Sequence, residues 1–556
     1  MLSNLASRRI RLLQSHFVRA FSGEAALKEF ATVDPNNLTP RTKLQNLCNG
    51  EWSGTQDWED LIDPLTGKII GKVPNTLMEN REVLPFINSL KSCPKSGLHN
   101  PLKNPERYLM YGNICKKAAN LLEDEKVSDF FVNLMQRVIP KSYAQCHGEL
   151  VVTKKFLENF SGDNVRFLGR SFANPGDHVG QMSQGFRWPY GPTAIVAPFN
   201  FPIEIPVLQM MGSLFMGNKV LVKVDSKVSI AIEQFIRMLH HCGMPKTDLD
   251  LIHCQPKAMQ NIMRRANPGV IQFTGSSKVA ETLSKSFNGK VKIEDAGFDW
   301  KILGPDVGDV DYVAWQCDQD AYAASGQKCS AQSILFMHTN WHKHNLLEKM
   351  EAQAARRNLK DLTVGPVLTW NNEQIEEHIS KLLELDGAKV LWGGKKLTKH
   401  SIPAIYGSYE PTAVYVPIKH YTIKRKLALI CTEVFAPFQI ITDYKLPHLK
   451  RVLNSLEELK SNLTAAVVSN DSDFQTEILG STINGTTYVG RRARTTGAPQ
   501  NHWFGPGGDP RGAGIGTAEA IQLVWSNHRE IIWDKGPIQD GWQGMTEEGE
   551  TLPKPT

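Results

Sequence analysis

The chain of 556 residues is 41% hydrophobic and 22% charged, which supports two or three domains with sizeable cores and excludes disorder on a large scale. Four arginines of its +6 net charge stand before the first acid, Glu24, and the remainder is near neutral, too weakly and diffusely charged for a nucleic-acid partner. Nine cysteines, odd in number and unclustered, form no disulfide framework, indicate a reducing compartment and lack zinc-site spacing, so no metal is expected.

The N-terminal residues 1–21 are arginine-rich, serine-bearing and acid-free, with apolar residues at helical intervals. That composition predicts a mitochondrial transit peptide, with Arg19-Ala20-Phe21-Ser22 like a processing site, and hence a protein of the mitochondrial matrix. From Asn49-Gly50 and Asp63-Pro64-Leu65-Thr66-Gly67 the turn chemistry predicts short hairpins, followed by two or three helical runs up to Phe160. Residues 165–189 read as a polar, glycine-punctuated pair of strands with no helix, a ribbon suited to pairing with another subunit. The apolar stretch 193–217 is broken by Pro198, Pro202, Glu204 and Pro206, so no lipid-spanning helix is expected and no membrane partner. From residue 193 apolar strands (193–197, 219–224, 249–254, 270–274, 291–294) alternate with helical runs, which predicts an α/β fold with a doubly wound parallel sheet. A second alternating α/β region covers about 296–482.

Candidate chemistry lies at the predicted strand ends. Cys329, between Lys328 and Ser330 after the glycine turn at Gly326, has the neighbours that favour a reactive thiolate, whereas Cys115, Cys242, Cys254, Cys317 and Cys431 sit in apolar or helical contexts typical of inert thiols. Asn200, between Pro198 and Pro202 after a strand, is placed to donate to a developing oxyanion. Lys223 ends its strand within reach of a nucleotide hydroxyl or phosphate. Thr274-Gly275-Ser276 opens a helix, as a pyrophosphate site requires. Glu294 ends another strand before a flexible turn, the setting of a general base, and Glu433 precedes Phe435 on a strand-like edge.

These motifs, in this order, resemble the NAD(P)-dependent aldehyde dehydrogenase family over about residues 49–529. Within it, Gly326-Gln327-Lys328-Cys329-Ser330-Ala331 and Pro198-Phe199-Asn200-Phe201 are most similar to the mitochondrial branch that oxidises L-glutamate γ-semialdehyde, and residues 504–514 look like the plant form. The resemblance implies an aldehyde dehydrogenase-like α/β fold: a doubly wound NAD-binding domain (22–164 and 190–295), a catalytic domain (296–482), an oligomerisation ribbon and tail (165–189 and 525–556) and a C-terminal return segment (483–524). It implies catalysis by Cys329, Asn200 and Glu294. NAD would be held by Pro198, Lys223, Ser226, Gly275, Ser276, Glu433 and Phe435. The substrate would meet Phe201, Lys328, Ser330 and the backbone N–H groups of Gly512 and Ala513, in a dimer or tetramer of identical chains. Two departures stand out. Asp295-Ala296-Gly297-Phe298 follows the glutamate where the family usually has Leu-Gly-Gly-Lys, and Ser226 stands where many relatives carry an acid, so NADP is not excluded. Another carboxylated aldehyde such as succinic semialdehyde is the alternative substrate; a non-catalytic protein is disfavoured by the intact Cys, Asn and Glu set.

Overall fold

The computed structural model describes residues 23–295 and 297–538; the predicted transit peptide, Ala296 and the end of the predicted tail lie outside the described residues. Asn49 and Gly50, at φ of 48° and 90°, turn the chain between β1 (Asn46–Cys48) and β2 (Glu51–Ser53). A second hairpin joins β3 (Trp58–Ile62) to β4 (Ile69–Pro74), its turn held by the Asp63 carboxylate accepting the Leu65 N–H. Both hairpins agree with the sequence reading. The helices that follow number four rather than two or three: Asn80–Lys91, Glu106–Glu123, Glu125–Val138 and Tyr143–Asn159. Asp124 separates the middle two, its side chain accepting the Lys126 N–H; a single capping residue inside an otherwise helical run is easily overlooked.

The stretch predicted to be helix-free opens with one helical turn, Asn164–Phe167, and only then forms β5 (Phe172–Pro175) and β6 (Gln181–Pro189). Along its whole length β6 pairs antiparallel with β19 (Ser526–Asp534), which joins the ribbon to the end of the described chain in a three-stranded sheet.

The first large sheet has the order β11-β10-β7-β8-β9-β1-β2. Its parallel part is β7 (Pro192–Ala197), β8 (Lys219–Val224), β9 (Leu249–Leu251), β10 (Val270–Gly275) and β11 (Val291–Asp295), and the strands are continuous apolar runs because helices cover both faces. The chain builds outward from β7 to β9, then returns to the other side of β7 with β10. That reversal opens a crevice beyond the carboxyl ends of β7 and β10, the usual ligand site of such sheets.

The second sheet has the order β14-β15-β16-β13-β12-β17-β18. It comprises β12 (Asp299–Leu303), β13 (Gln332–His338), β14 (Lys389–Trp392), β15 (Thr412–Tyr415), β16 (Phe438–Tyr444), β17 (Thr464–Val468) and β18 (Thr486–Val489), parallel except for β14 against β15. Buried Trp300, Phe336 and Ile440 fill its core. A short crossing from Asp295 to Asp299 links the sheets, so Glu294, at a carboxyl end of the first, faces the loop that leads into β13 of the second. No helix among the described residues is long and apolar enough to cross a membrane.

Candidate active site

The nucleophile loop is a strained turn between the helix Val310–Tyr322 and β13. Ala324, Ser325 and Gly326 are consecutively left-handed, at φ of 53°, 57° and 69°, a conformation that costs about 1–3 kcal/mol for each non-glycine residue and persists only when its surroundings enforce it. They do. Ser325 Oγ accepts the Gly365 N–H at 2.7 Å, Gln327 Oε1 accepts the Leu368 N–H at 2.8 Å, and Gln327 Nε2 donates to the Pro366 carbonyl at 3.0 Å. At Gly326 a Cβ would lie 1.9 Å from the Ala436 carbonyl oxygen, so only glycine fits.

This turn delivers Cys329 to the junction of two cavities. One, of about 200 Å³, is bounded by Pro198, Asn200, Gly275, Ser276, Glu433 and Phe435, all predicted site residues. The other, of about 480 Å³, holds Phe201, Lys328 and Ser330 with Glu204, Arg494 and Thr496. Cys329, Glu294 and Ile205 line both. Asn200 reaches the junction from the loop after β7, and its amide oxygen is buried without a hydrogen-bond partner among the described residues.

The charges at the junction differ from those the sequence suggested. The enclosing protein pushes the Cys329 thiol well above its ordinary range, and the negative charges of Glu294 and Asp299 push it further. Lys328 does not offset this: its Nζ donates to the Gln319 carbonyl at 2.9 Å and to Thr496 Oγ1 at 3.0 Å, and burial brings its pKa down to about 8. Nor does a helix begin at Cys329, because a turn at Cys329-Ser330 leads into β13. The proton acceptor beside the thiol is Glu294, raised to about 7 by burial, against a contact with Cys329 that pulls it down. A carboxyl tuned there can take a proton and return it near neutral pH.

The expected carboxylate donors on the C-terminal loop are a clear correction. The Gly512 N–H donates to the Asp509 carbonyl and the Ala513 N–H to the Ile293 carbonyl, both at 2.9 Å, while the Ile293 N–H donates to Arg511. The loop forms a parallel bridge beside β11 and buttresses the strand carrying Glu294; the N–H groups of Gly512 and Ala513 are committed. The second cavity is lined by Arg494, Thr496, Gly497 and Ala498, with Phe504 and Ile515 from the two ends of the C-terminal loop, and Ser330 Oγ and Thr496 Oγ1, 3.3 Å apart, hold the first of these segments to the nucleophile loop. Asp320, itself paired with Lys301 at 2.7 Å, anchors this segment by accepting the Thr495 N–H at 2.9 Å. Sequence reasoning missed Arg494, Thr496 and Glu204. The only signal for the first two was a basic, threonine-bearing run that reads as surface.

The first cavity fits a nicotinamide dinucleotide. Ser276 precedes the helix Ser277–Ser286 without a capping side-chain bond, which leaves first-turn N–H groups for a phosphate. At Gly275, φ is 158° and a Cβ would lie 2.8 Å from the Phe273 ring, so no side chain intrudes there. Glu433 stands on the opposite wall, its carboxyl raised well above the usual range by burial and by Asp299 and Asp295. Phe435, at φ 52°, packs edge-on against Phe199 with ring centroids 5.9 Å apart. Lys223 and Ser226 lie at and just beyond the end of β8.

A cysteine and a carboxyl at the meeting point of a crevice beyond the strand ends and a second chamber suit an α/β oxidoreductase that works through a covalent thiol adduct. The chain matches the pattern of the Aldehyde dehydrogenase family over residues 53–520, and it belongs to that family, whose members use NAD(P). It is 58% identical to a "Probable aldehyde dehydrogenase" of Linum usitatissimum, covering 95% of this chain and 96% of that one. It is also 58% identical to "Delta-1-pyrroline-5-carboxylate dehydrogenase 12A1, mitochondrial" of Arabidopsis thaliana, over 92% and 93%. Among solved structures, an NAD-dependent aldehyde dehydrogenase from Sinorhizobium meliloti superimposes with a TM-score of 0.77 at 17% identity, over 91% and 97% of the two chains.

Proposed function

We propose that this protein oxidises L-glutamate γ-semialdehyde, the open form of Δ1-pyrroline-5-carboxylate, to L-glutamate with NAD, in the mitochondrial matrix and as a homo-oligomer. One observation carries the choice of substrate: the chamber beyond Cys329 holds two cations, Lys328 and Arg494, neither of them in an ion pair among the described residues, whereas the other lysine on its wall, Lys141, is paired with Glu149. Cations without a direct ion-pair partner, although Asp320 acts on Lys328 from the same wall, suit an aldehyde bearing a carboxylate. The name of the Arabidopsis relative supports the same substrate and compartment. The edge of β19, with Ile532 exposed, supports subunit pairing through the ribbon.

In the reaction, Glu294 accepts the Cys329 proton and the thiolate adds to the aldehyde carbon. The Asn200 amide stabilises the resulting oxyanion. A dinucleotide held by Gly275, Ser276 and Glu433 in the first cavity, and by Lys223 beyond it at the end of β8, would supply the hydride acceptor. The acyl group remains on Cys329 as a thioester. Once Glu294 has passed that first proton to solvent, it deprotonates the water that hydrolyses the thioester and returns this second proton to the departing Cys329 sulfur, releasing the acid and regenerating the thiol. Phe201 packs on the aliphatic stem of the substrate, while Lys328, Ser330, Thr496 and Arg494 receive the carboxylate.

A substrate panel tests the assignment. A site built to bind a carboxylate rejects analogues lacking it by large factors, because its donors are left unpaired. The kcat/KM for propanal and hexanal therefore falls orders of magnitude below that for glutamate semialdehyde, with succinic semialdehyde between. Comparable efficiencies for the simple aldehydes would leave only a general aldehyde dehydrogenase.

A further inference from the structure

The corner beyond β8 lacks the acid that many relatives carry, since Lys223 is followed by Val224-Asp225-Ser226. The fold brings another acid there. Glu59 lies on β3 of the N-terminal hairpin, 167 positions from Ser226, and its Oε2 accepts a hydrogen bond from Ser226 Oγ at 3.4 Å. Its other oxygen accepts from Gln255 Nε2, in the loop after β9. The carboxylate thus bridges the two loops that leave the carboxyl ends of β8 and β9. Glu59 and Lys223 both act electrostatically on Cys254, in opposite senses, so they flank the same corner. The nearer acid in sequence, Asp225, is offset by Lys227 at 3.5 Å.

The hairpin is fastened in this position. The Thr76 N–H, just after β4, donates to the His253 carbonyl at 3.0 Å. Buried Asn46 locks the joint, donating to Thr76 Oγ1 and accepting the His253 N–H, both at 2.8 Å. The backbone carrying Glu59 is therefore positioned by buried hydrogen bonds, and its side chain is held at a partly exposed corner by Ser226 and Gln255.

We propose that Glu59 supplies, from a distant part of the chain, the carboxylate that selects NAD over NADP. Beside a strand-end lysine, such a group accepts from the adenosine ribose hydroxyls of NAD and repels the dianionic 2′-phosphate of NADP. The inference rests on the reading that the dinucleotide extends from the first cavity across the end of β8.

Calorimetric titration of NAD and NADP into the full-length Cys329→Ala protein, which turns over nothing, tests it through binding alone. The starting protein binds NAD more tightly. Glu59→Gln, which keeps the shape and the contacts to Ser226 and Gln255, shifts the ratio of the two dissociation constants at least tenfold toward NADP, about 1.4 kcal/mol. Glu59→Asp, which keeps the charge, retains the preference for NAD. Adding Ser226→Glu to Glu59→Gln restores it. An unchanged ratio in Glu59→Gln, with both dinucleotides still binding, would overturn the role of Glu59 and leave the cofactor site standing; failure of the starting protein to bind either would overturn the cofactor reading itself.

Discussion

Lys141 holds Asn200 by the backbone: its Nζ donates to the Asn200 carbonyl at 3.1 Å and to Glu149 Oε2 at 2.8 Å, with both charged side chains almost wholly buried. Glu149 completes the frame by accepting the Ile203 and Glu204 N–H groups at 2.9 and 3.2 Å, which fixes the loop from its oxyanion donor to the start of the next helix. Lys141 also lies 4.5 Å from the centre of the Phe201 ring. Removing one member of a buried pair leaves an uncompensated charge and typically costs about 3–5 kcal/mol, whereas replacing both by apolar residues is often neutral. Lys141→Met therefore lowers both the melting temperature and turnover. Lys141→Met with Glu149→Leu regains most of the melting temperature but not the turnover, because the carbonyl and N–H groups of the loop remain unheld. Thermal denaturation beside steady-state kinetics distinguishes the two effects; full recovery of turnover in the double variant would show that the pair does not position Asn200.

In the proposed mechanism Asn200 itself donates one hydrogen bond to the oxyanion. Asn200→Ala lowers kcat by about two to three decades, the usual loss for one such donor, and leaves the dissociation constant for NAD unchanged when measured by fluorescence titration. A change confined to cofactor affinity would move Asn200 out of the reaction.

The parts legible in the sequence were those set by local pattern. Strands such as β8 and β10 announce themselves as unbroken apolar runs because a parallel sheet buries both faces, and motifs at strand ends follow from where such sheets bind ligands. What failed depended on partners far away in the chain. A glycine-rich run at residues 512–514 promises free N–H groups, but whether they are free depends on Ile293, more than two hundred positions earlier, which takes the one from Ala513. Lys328 beside Cys329 promises an activating charge, but side chains adjacent in a turn need not point together, and this one is directed to Gln319 and Thr496. Glu59 reaches the end of β8 only through the docking of the hairpin.

As the base of the proposed mechanism, Glu294 gives the reaction its pH dependence. Its folded pKa is raised to about 7 by burial, and a base acts only when deprotonated, so thioester hydrolysis falls about tenfold per pH unit below that value and levels off above it. Glu294→Gln removes the titration and slows hydrolysis more than acyl formation, so rapid mixing yields a burst of NADH followed by a slow steady rate. A trace whose burst and steady rate fall equally would place the glutamate in the first step alone.

Arg494 separates the chamber seen in the structure from the loop suggested by the sequence. Its guanidinium lies 5.5 Å from the centre of the Tyr488 ring, with Nε buried and lacking an acceptor among the described residues. Two positions on, Thr496 touches both Ser330 and Lys328, so the segment carrying the arginine is pinned beside the nucleophile. A carboxylate a few bonds from the aldehyde carbon would meet donors there, and a hydrogen bond to a charged group contributes about 1.5–3 kcal/mol. Arg494→Met accordingly lowers kcat/KM for glutamate semialdehyde by about ten- to a hundredfold, chiefly through KM, while leaving that for hexanal within about threefold. Gly512→Ala, by contrast, acts on both substrates alike, because a Cβ there would lie 2.8 Å from the Pro506 carbonyl oxygen and disturb the strand carrying Glu294 and not a carboxylate site. Equal losses on the two aldehydes in Arg494→Met, with a selective loss in Gly512→Ala, would return substrate recognition to the C-terminal glycine loop.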